Sequence, residues 1–168
     1  MKFLKKVAAI VLIAATVLSL TACGPTKKKV EPKDFKKKLE KKGFYVEEAE
    51  DEDAEENYYG IYYDEDDEDV WVLVDYYLFD KASDAKSCFN ASYDSMKKEK
   101  DKGKFDGETT KNTWKFTGDG EFTDDSKMGE GEYYIVGIVA EEMVIIAYSY
   151  GDKTSRKVLD DTLADLGY

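Results

Sequence analysis

The sequence predicts an α+β fold in which an antiparallel sheet carries helices packed on one face. Two observations indicate this class. Short segments rich in Val, Ile, Tyr and Trp alternate with turn residues, as strands do. Segments with apolar residues three or four positions apart follow the longest of them, as helices would. With 168 residues, 42% of them hydrophobic, the chain is long enough for one domain with its own core.

The first element is predicted to be a short helix. Pro32 suits a first helical turn, and Phe35 and Leu39 are four positions apart on one helix face. Gly43 is expected to end the helix in the left-handed conformation, with Phe44 packing back in a Schellman motif. The same spacing recurs at the C-terminus, which predicts a second helix with the same ending.

Two strands are predicted at residues 58–63 and 70–79, joined by an acidic turn. A helix running to about Lys98 follows, with Asp80 or Ser83 as its N-cap. The next stretch, residues 97–106, is charged and contains two glycines, so a loop is expected there. Residues 114–123 predict a hairpin turning at Gly118-Asp119-Gly120, and residues 133–140 and 143–150 predict another hairpin. A last helix is expected to be capped by Asp152 or Ser155.

The two halves of the chain are alike at one common offset. Val72-Leu73-Val74 aligns with Val144-Ile145-Ile146, and Asp80 aligns with Asp152. One interpretation is two strand–strand–helix half-repeats, which would place Met143 and Ile145 where the first half has Trp71 and Leu73. The alternative is that unrelated strand–strand–helix units share the same caps.

Alternation divides the predicted strand at 70–79 into two faces. We expect the helices to cover the valine face, because it has no charge to bury. The other face carries Asp75 among aromatic residues, and an unpaired buried carboxylate is costly, so this face should be open near Asp75. Its apolar residues are the candidate partner-binding site, for a protein or a glycan: Trp71, Leu73, Tyr77 and Phe79. The alternative is that a second layer or a long loop covers them.

The N-terminus has the pattern of an export signal. Three lysines precede an apolar stretch at 7–20, which is too short for a transmembrane helix. Leu20-Thr21-Ala22-Cys23 resembles the lipobox of bacterial lipoproteins. The resemblance implies that residues 1–22 are removed and that Cys23 carries the lipid, with 23–31 as a linker and 32–168 as the domain. Two acyl chains would hold the protein stably on the cell membrane, at its extracytoplasmic face.

The remaining chain resembles small surface lipoproteins of Gram-positive bacteria. It shares with them a Lys-rich first helix ending in Gly-aromatic, an aromatic strand running into a helix, and a terminal Leu-Gly-Tyr. No particular activity follows from this resemblance, because none is associated with the pattern.

Composition excludes several classes of function. The net charge is −12, and removal of residues 1–22 makes it 22 − 37 = −15, which argues against nucleic acid as a partner. The chain has no His and only two Cys, so Ser–His, Cys–His and four-thiolate zinc sites are excluded. Cys88 is interpreted as a small core residue. No metal or cofactor is predicted, although the acidic turn at 64–69 could bind calcium weakly.

Two hypotheses for function remain. The first is a membrane-anchored binding or accessory module without catalysis. The second is a carboxylate-dependent extracellular hydrolase acting on glycans, which would need a deep pocket holding two carboxylates with opposed pKa shifts. A flat aromatic sheet face would favour the first.

Overall fold

A computed structural model describes residues 27–64, 70–123, 126, 128–151 and 153–168. Within them the α+β prediction is confirmed, because three helices pack against one antiparallel sheet. In chain order the elements are α1 (Pro32–Lys41), β1 (Tyr45–Ala49), β2 (Glu56–Tyr63), β3 (Trp71–Leu78), α2 (Ala82–Asp101), β4 (Phe105–Lys111), β5 (Lys115–Phe122), β6 (Gly131–Ala140), β7 (Met143–Tyr150) and α3 (Lys153–Leu166). The seven strands lie in the order β1-β2-β3-β7-β6-β5-β4.

The helices lie on both faces of the sheet, which differs from the expectation of a single covered face. Helices α1 and α3 pack on the valine face, where Phe35 and Leu159 belong to the same buried cluster as Val74. Helix α2 packs on the opposite face over β4, β6 and β7. The physical reason is that this half of the opposite face is also apolar. Its buried side chains need a cover of their own: Phe116, Phe122, Ile135, Val144 and Ile146.

The predicted helix endings are confirmed, whereas a predicted helix start is wrong. Gly43 has φ +90°, and the Phe44 N–H donates to the Leu39 carbonyl at 3.1 Å. Gly167 repeats this with φ +101°. At the start of α2, however, Lys81 occupies the N-cap and no side chain caps the helix. For α3, Asp152 lies outside the described residues, and Ser155 lies within the helix instead of capping it.

The predicted turn at Gly118-Asp119-Gly120 is wrong, because these residues lie inside the continuous strand β5. The glycines serve close packing instead of chain reversal. A Cβ on Gly120 would be 2.3 Å from the Asp106 carbonyl oxygen of β4, and one on Gly118 would be 2.2 Å from the Met96 sulfur. Glycine in a strand interior commonly marks such close approach.

Two strands escaped prediction. Residues 97–106 were expected to be a loop, but α2 continues to Asp101 and β4 begins at Phe105. Strand β4 has few apolar residues because it is an edge strand. Strand β1, the opposite edge, reads in sequence as part of an acidic segment.

The duplication interpretation is wrong at its proposed offset. Strands β3 and β7 are antiparallel neighbours, with Leu78 opposite Met143 and Trp71 opposite Tyr150. Met143 therefore shares the valine face, and Trp71 points to the other face. The aligned residues of the two halves thus point to opposite faces of the sheet. If the halves were repeats, a two-fold rotation would relate β3 to its antiparallel neighbour β7. That rotation would keep the aligned residues on the same face, which is not observed.

The segment before α1 is packed on the domain. Val30 is buried, and its carbonyl accepts a hydrogen bond from the Tyr76 hydroxyl at 2.8 Å. The Tyr168 hydroxyl donates to the Lys28 carbonyl at 2.5 Å, and the Lys27 ammonium lies 5.0 Å from the Trp114 ring centroid. The chain is therefore fixed to the domain from residue 27 onward.

Gly137 provides a test of the packing under α2. A Cβ at this position would lie 2.0 Å from the ring of Phe116, its cross-strand neighbour. We expect Gly137→Ala to lower the free energy of unfolding by about 1–3 kcal/mol, measured by denaturant titration. Phe116→Leu should make room for the methyl group, so the double variant should lose less than the sum of the single losses. A stability of Gly137→Ala equal to that of the wild type would contradict this packing.

Candidate functional site

Part of the sheet face opposite the valines is not covered by α2. It comprises outward side chains of β1, β2 and β3, none of which belongs to either buried core cluster. The cross-strand register brings Tyr63 beside Trp71 and Ile61 beside Leu73. Tyr45 and Tyr63 are 59% and 61% exposed. We call this surface the open tyrosine face: Tyr45, Glu47, Tyr59, Ile61, Tyr63, Trp71, Leu73 and Asp75.

Two tyrosines on this face hold a carboxylate between them. The hydroxyls of Tyr45 and Tyr59 donate to the two oxygens of Glu47. These hydrogen bonds lower the pKa of Glu47 below its ordinary value and raise the pKa of both tyrosines. Because each hydroxyl is oriented by Glu47, the rings of Tyr45 and Tyr59 are held in place without being buried.

Asp75 differs from Glu47 because its pKa is raised and not lowered. It lies on β3 between Tyr59 of β2 and Ile146 of β7, and burial raises its pKa to about 6. Among the described residues none forms a hydrogen bond or ion pair with its carboxylate. Its charge contributes to raising the pKa of both Tyr77 and Tyr148, after burial. Asp75 is therefore the least well accommodated charge on this face.

A cavity lies between the β1–β2 connection, the end of β3 and the first turns of α2. Its volume is about 550 Å³. Tyr77 and Phe79 form its aromatic wall, with ring centroids 6.3 Å apart and an interplanar angle of 20°. Its other lining residues are Asp51, Asp53, Asp84, Ser87, Cys88 and Ala91. We call it the acidic cavity, since three of its eight lining residues are aspartates and none is basic.

A second cavity of about 380 Å³ lies under α2 and is lined mainly by apolar side chains such as Met96, Phe116 and Ile146. Cys88 is half-buried and lines both cavities. Burial raises the pKa of its thiol, which disfavours the reactive thiolate. Cys88 therefore fits the predicted role of a small packing residue.

The four predicted partner-binding residues share one face, as alternation requires, but they occupy two environments. Trp71 and Leu73 are half-buried on the open tyrosine face. Tyr77 is half-buried and Phe79 is buried, and both pack into the core under α2 and line the acidic cavity. Sequence reasoning did not place Tyr45 and Tyr59 beside them. The available signal was the alternation in β2, but β1 had not been recognised as a strand.

The arrangement of charged groups does not resemble a catalytic or metal centre. Among the described residues, no group of three or more Cys, Asp or Glu is arranged to hold a metal ion. Glu47 and Asp75 have opposed pKa shifts, but neither lines any of the cavities described above. Two predicted sites lie outside the described residues: the lipidation site Cys23 and, except for Asp64, the acidic turn at 64–69.

No family model matches the chain, and no curated protein matches it. The crystal structure of the extracellular domain of PknH from Mycobacterium tuberculosis aligns with a TM-score of 0.48 and 12% sequence identity. The alignment covers 68% of this chain and 65% of that chain. A likeness of this size does not indicate a shared function. Among the described residues, no helix is both long and apolar enough to cross a membrane.

The raised pKa of Asp75 predicts a pH-dependent stability. Its folded-state value of about 6 exceeds its ordinary 3.8, so the folded protein binds the extra proton between these values. Asp75 therefore destabilises the fold increasingly as pH rises from 4 to 6, and fully above 6. Asp75→Asn removes this charge, so it should increase the free energy of unfolding more at pH 7.5 than at pH 4. The increase at pH 7.5 should exceed the increase at pH 4 by on the order of 2 kcal/mol.

The measurement is denaturant unfolding of both proteins at the two pH values. Asp94→Asn, at an exposed position on α2, is the matched control and should show no such difference. The same stability change at pH 4 and pH 7.5 for Asp75→Asn would show that Asp75 is not buried as a charge.

Proposed function

We propose that this protein is a lipoprotein anchored to the extracytoplasmic face of the cell membrane, where it binds a partner without catalysing a reaction. The open tyrosine face is the observation that carries the binding proposal. It combines ordered, exposed aromatic rings with a half-buried carboxylate, and it lies on a rigid sheet. The lipobox at residues 20–23 carries the anchoring proposal.

The packed start of the domain supports an arrangement close to the membrane. Only three residues separate Cys23 from Lys27, which is already packed against Trp114. Four residue steps span at most about 14 Å. A lipid on Cys23 would therefore hold this end of the domain near the bilayer surface, and not at the end of a long tether.

The charge on α1 supports a particular orientation of the domain. Lys33, Lys37 and Lys41 are exposed, four positions apart, and no described carboxylate pairs with them. Each lysine near an anionic bilayer contributes about 1 kcal/mol of attraction. Helix α1 lies on the valine face, so its contact with the membrane would direct the open tyrosine face outward.

The placement of the two carboxylates favours binding over hydrolysis. A glycan hydrolase needs its acid and its base in a cleft that encloses the scissile bond. Glu47 and Asp75 instead lie in line across β2 on one face of the sheet, and neither lines a cavity described above. This supports the binding module, with the hydrolase as the less favoured alternative.

Lipidation is tested by Cys23→Ser. We expect this change to abolish metabolic labelling with a fatty acid and to leave the protein either shed or retained by an uncut signal peptide. Cys88→Ser is the matched control, because Cys88 is the other cysteine of the chain, and it should label normally. Normal labelling and membrane fractionation of Cys23→Ser would contradict the anchor.

Partner binding is tested by Trp71→Ala in the full-length protein on intact cells. Chemical cross-linking followed by immunoprecipitation should recover about tenfold less of the cross-linked partner than with the wild type, as for loss of a binding hot spot. Trp114→Ala, at the other tryptophan, is the matched control and should capture normally.

Stability separates binding from folding in this experiment. Val74 is fully buried, so Val74→Ala should cost about 2 kcal/mol of unfolding free energy, and Trp71→Ala should cost less. If Trp71→Ala unfolds the domain, or if it captures the partner as well as the wild type does, the open tyrosine face is not the binding site.

A further inference from the structure

The part of the sequence that supplies the open tyrosine face is rich in acidic residues and has no basic ones. From Gly43 to Asp80 the sequence contains sixteen Asp and Glu residues and no Lys or Arg. This stretch supplies β1, β2 and β3 together with their connections. Every other helix and strand of the described chain, except β6 and β7, contains at least one Lys or Arg. The asymmetry therefore belongs to this half of the sheet.

Elsewhere on the surface, aromatic rings form cation–π contacts with Lys or Arg side chains of the protein itself. The Lys111 ammonium lies 4.4 Å from the ring centroid of Tyr93, and the Arg156 guanidinium lies 4.0 Å from that of Tyr134. In the described structure no Lys or Arg lies over Tyr59, Tyr63 or Trp71. The faces of these three rings therefore have no cation partner among the described residues.

The acidic cavity lies next along the same face of β3, because its wall residue Tyr77 is two positions after Asp75. Its wall of Tyr77 and Phe79 and its aspartates, Asp51, Asp53 and Asp84, face a volume of about 550 Å³, which is ample for one long side chain. The aspartates do not form a metal site, by the arrangement described above. Aromatic rings next to carboxylates match the chemistry of a lysine or arginine side chain, whose stem is apolar and whose head is charged.

We propose that the partner is a protein segment rich in Lys and Arg, which lies across the open tyrosine face and inserts one basic side chain into the acidic cavity. The inference rests on the proposed binding function and specifies its partner. Cation–π contacts with Trp71 and the tyrosines would supply affinity, and Glu47, Asp75 and Asp51 would supply charge selection. A neutral glycan could stack on the rings. It carries no positive charge, however, and would therefore form neither cation–π contacts with the rings nor ion pairs with the carboxylates.

The test uses the full-length protein in non-ionic detergent. The chain has two tryptophans, so Trp114→Phe leaves Trp71 as the only tryptophan and as a reporter within the site. The probe is a decapeptide of alternating Lys and Ser. We expect it to shift the Trp71 emission saturably, with an affinity that falls at least about fivefold between 50 and 300 mM NaCl because salt screens the charges. A decapeptide of alternating Glu and Ser and the neutral glycan chitohexaose should produce no shift.

Three substitutions locate the binding. Glu47→Gln and Asp51→Asn should each weaken binding of the Lys peptide about three- to tenfold, as loss of one charge at an interface does. Glu108→Gln removes the same charge from an exposed position on β4, at the opposite edge of the sheet. This matched control should stay within twofold of the wild type.

The possible results distinguish failure of this inference from failure of the proposed binding function. Equal loss in Glu108→Gln and Glu47→Gln would show that the peptide responds to net charge alone, which overturns the inference. Binding of chitohexaose in place of the peptide also overturns it, but leaves the binding function intact. A Trp71 that responds to no probe overturns it as well, and the cross-linking of intact cells then decides the binding function independently.

Discussion

The structure depends on the alternation of side chains along β3. One face of this strand belongs to the core: Val72, Val74 and Tyr76 are fully buried beneath α1 and α3. The other face is only partly covered, because α2 packs on β4, β6 and β7 and not on β1 or β2. A single strand thus stabilises the fold on one side and forms the candidate binding surface on the other. With this separation, the valines maintain the fold while Trp71 lies on the surface that we propose for recognition.

The uncovered half of the sheet stays ordered through polar contacts in place of a helix. Glu47 accepts hydrogen bonds from two tyrosines, and the unpaired Asp75 keeps its surroundings from being a simple apolar patch. The raised pKa of Asp75 shows that the fold carries an electrostatic cost at this point. Such a cost is more often found at functional surfaces than in parts of a protein that only maintain its shape.

Sequence reasoning recovered the elements whose local signals agree with the tertiary structure. The helix endings at Gly43 and Gly167 follow from glycine at the left-handed position, and the two faces of β3 follow from strict alternation. It failed where tertiary packing overrides the local signal. Gly118-Asp119-Gly120 reads as a turn, because no local pattern shows that β4 and α2 approach too closely for a side chain. The edge strand β1 was missed because its acids hide its alternation, and Tyr45 and Glu47 were missed with it.

The central claim is that the open tyrosine face is occupied when the protein is in its place on the cell. Hydroxyl-radical footprinting measures this directly, because it labels accessible tyrosine and tryptophan side chains. The account predicts that Tyr45, Tyr63 and Trp71 are labelled in the purified protein and protected on intact cells, while Tyr93 on α2 is labelled to the same extent in both. Equal labelling of Tyr45 and Tyr63 in the two samples would contradict it.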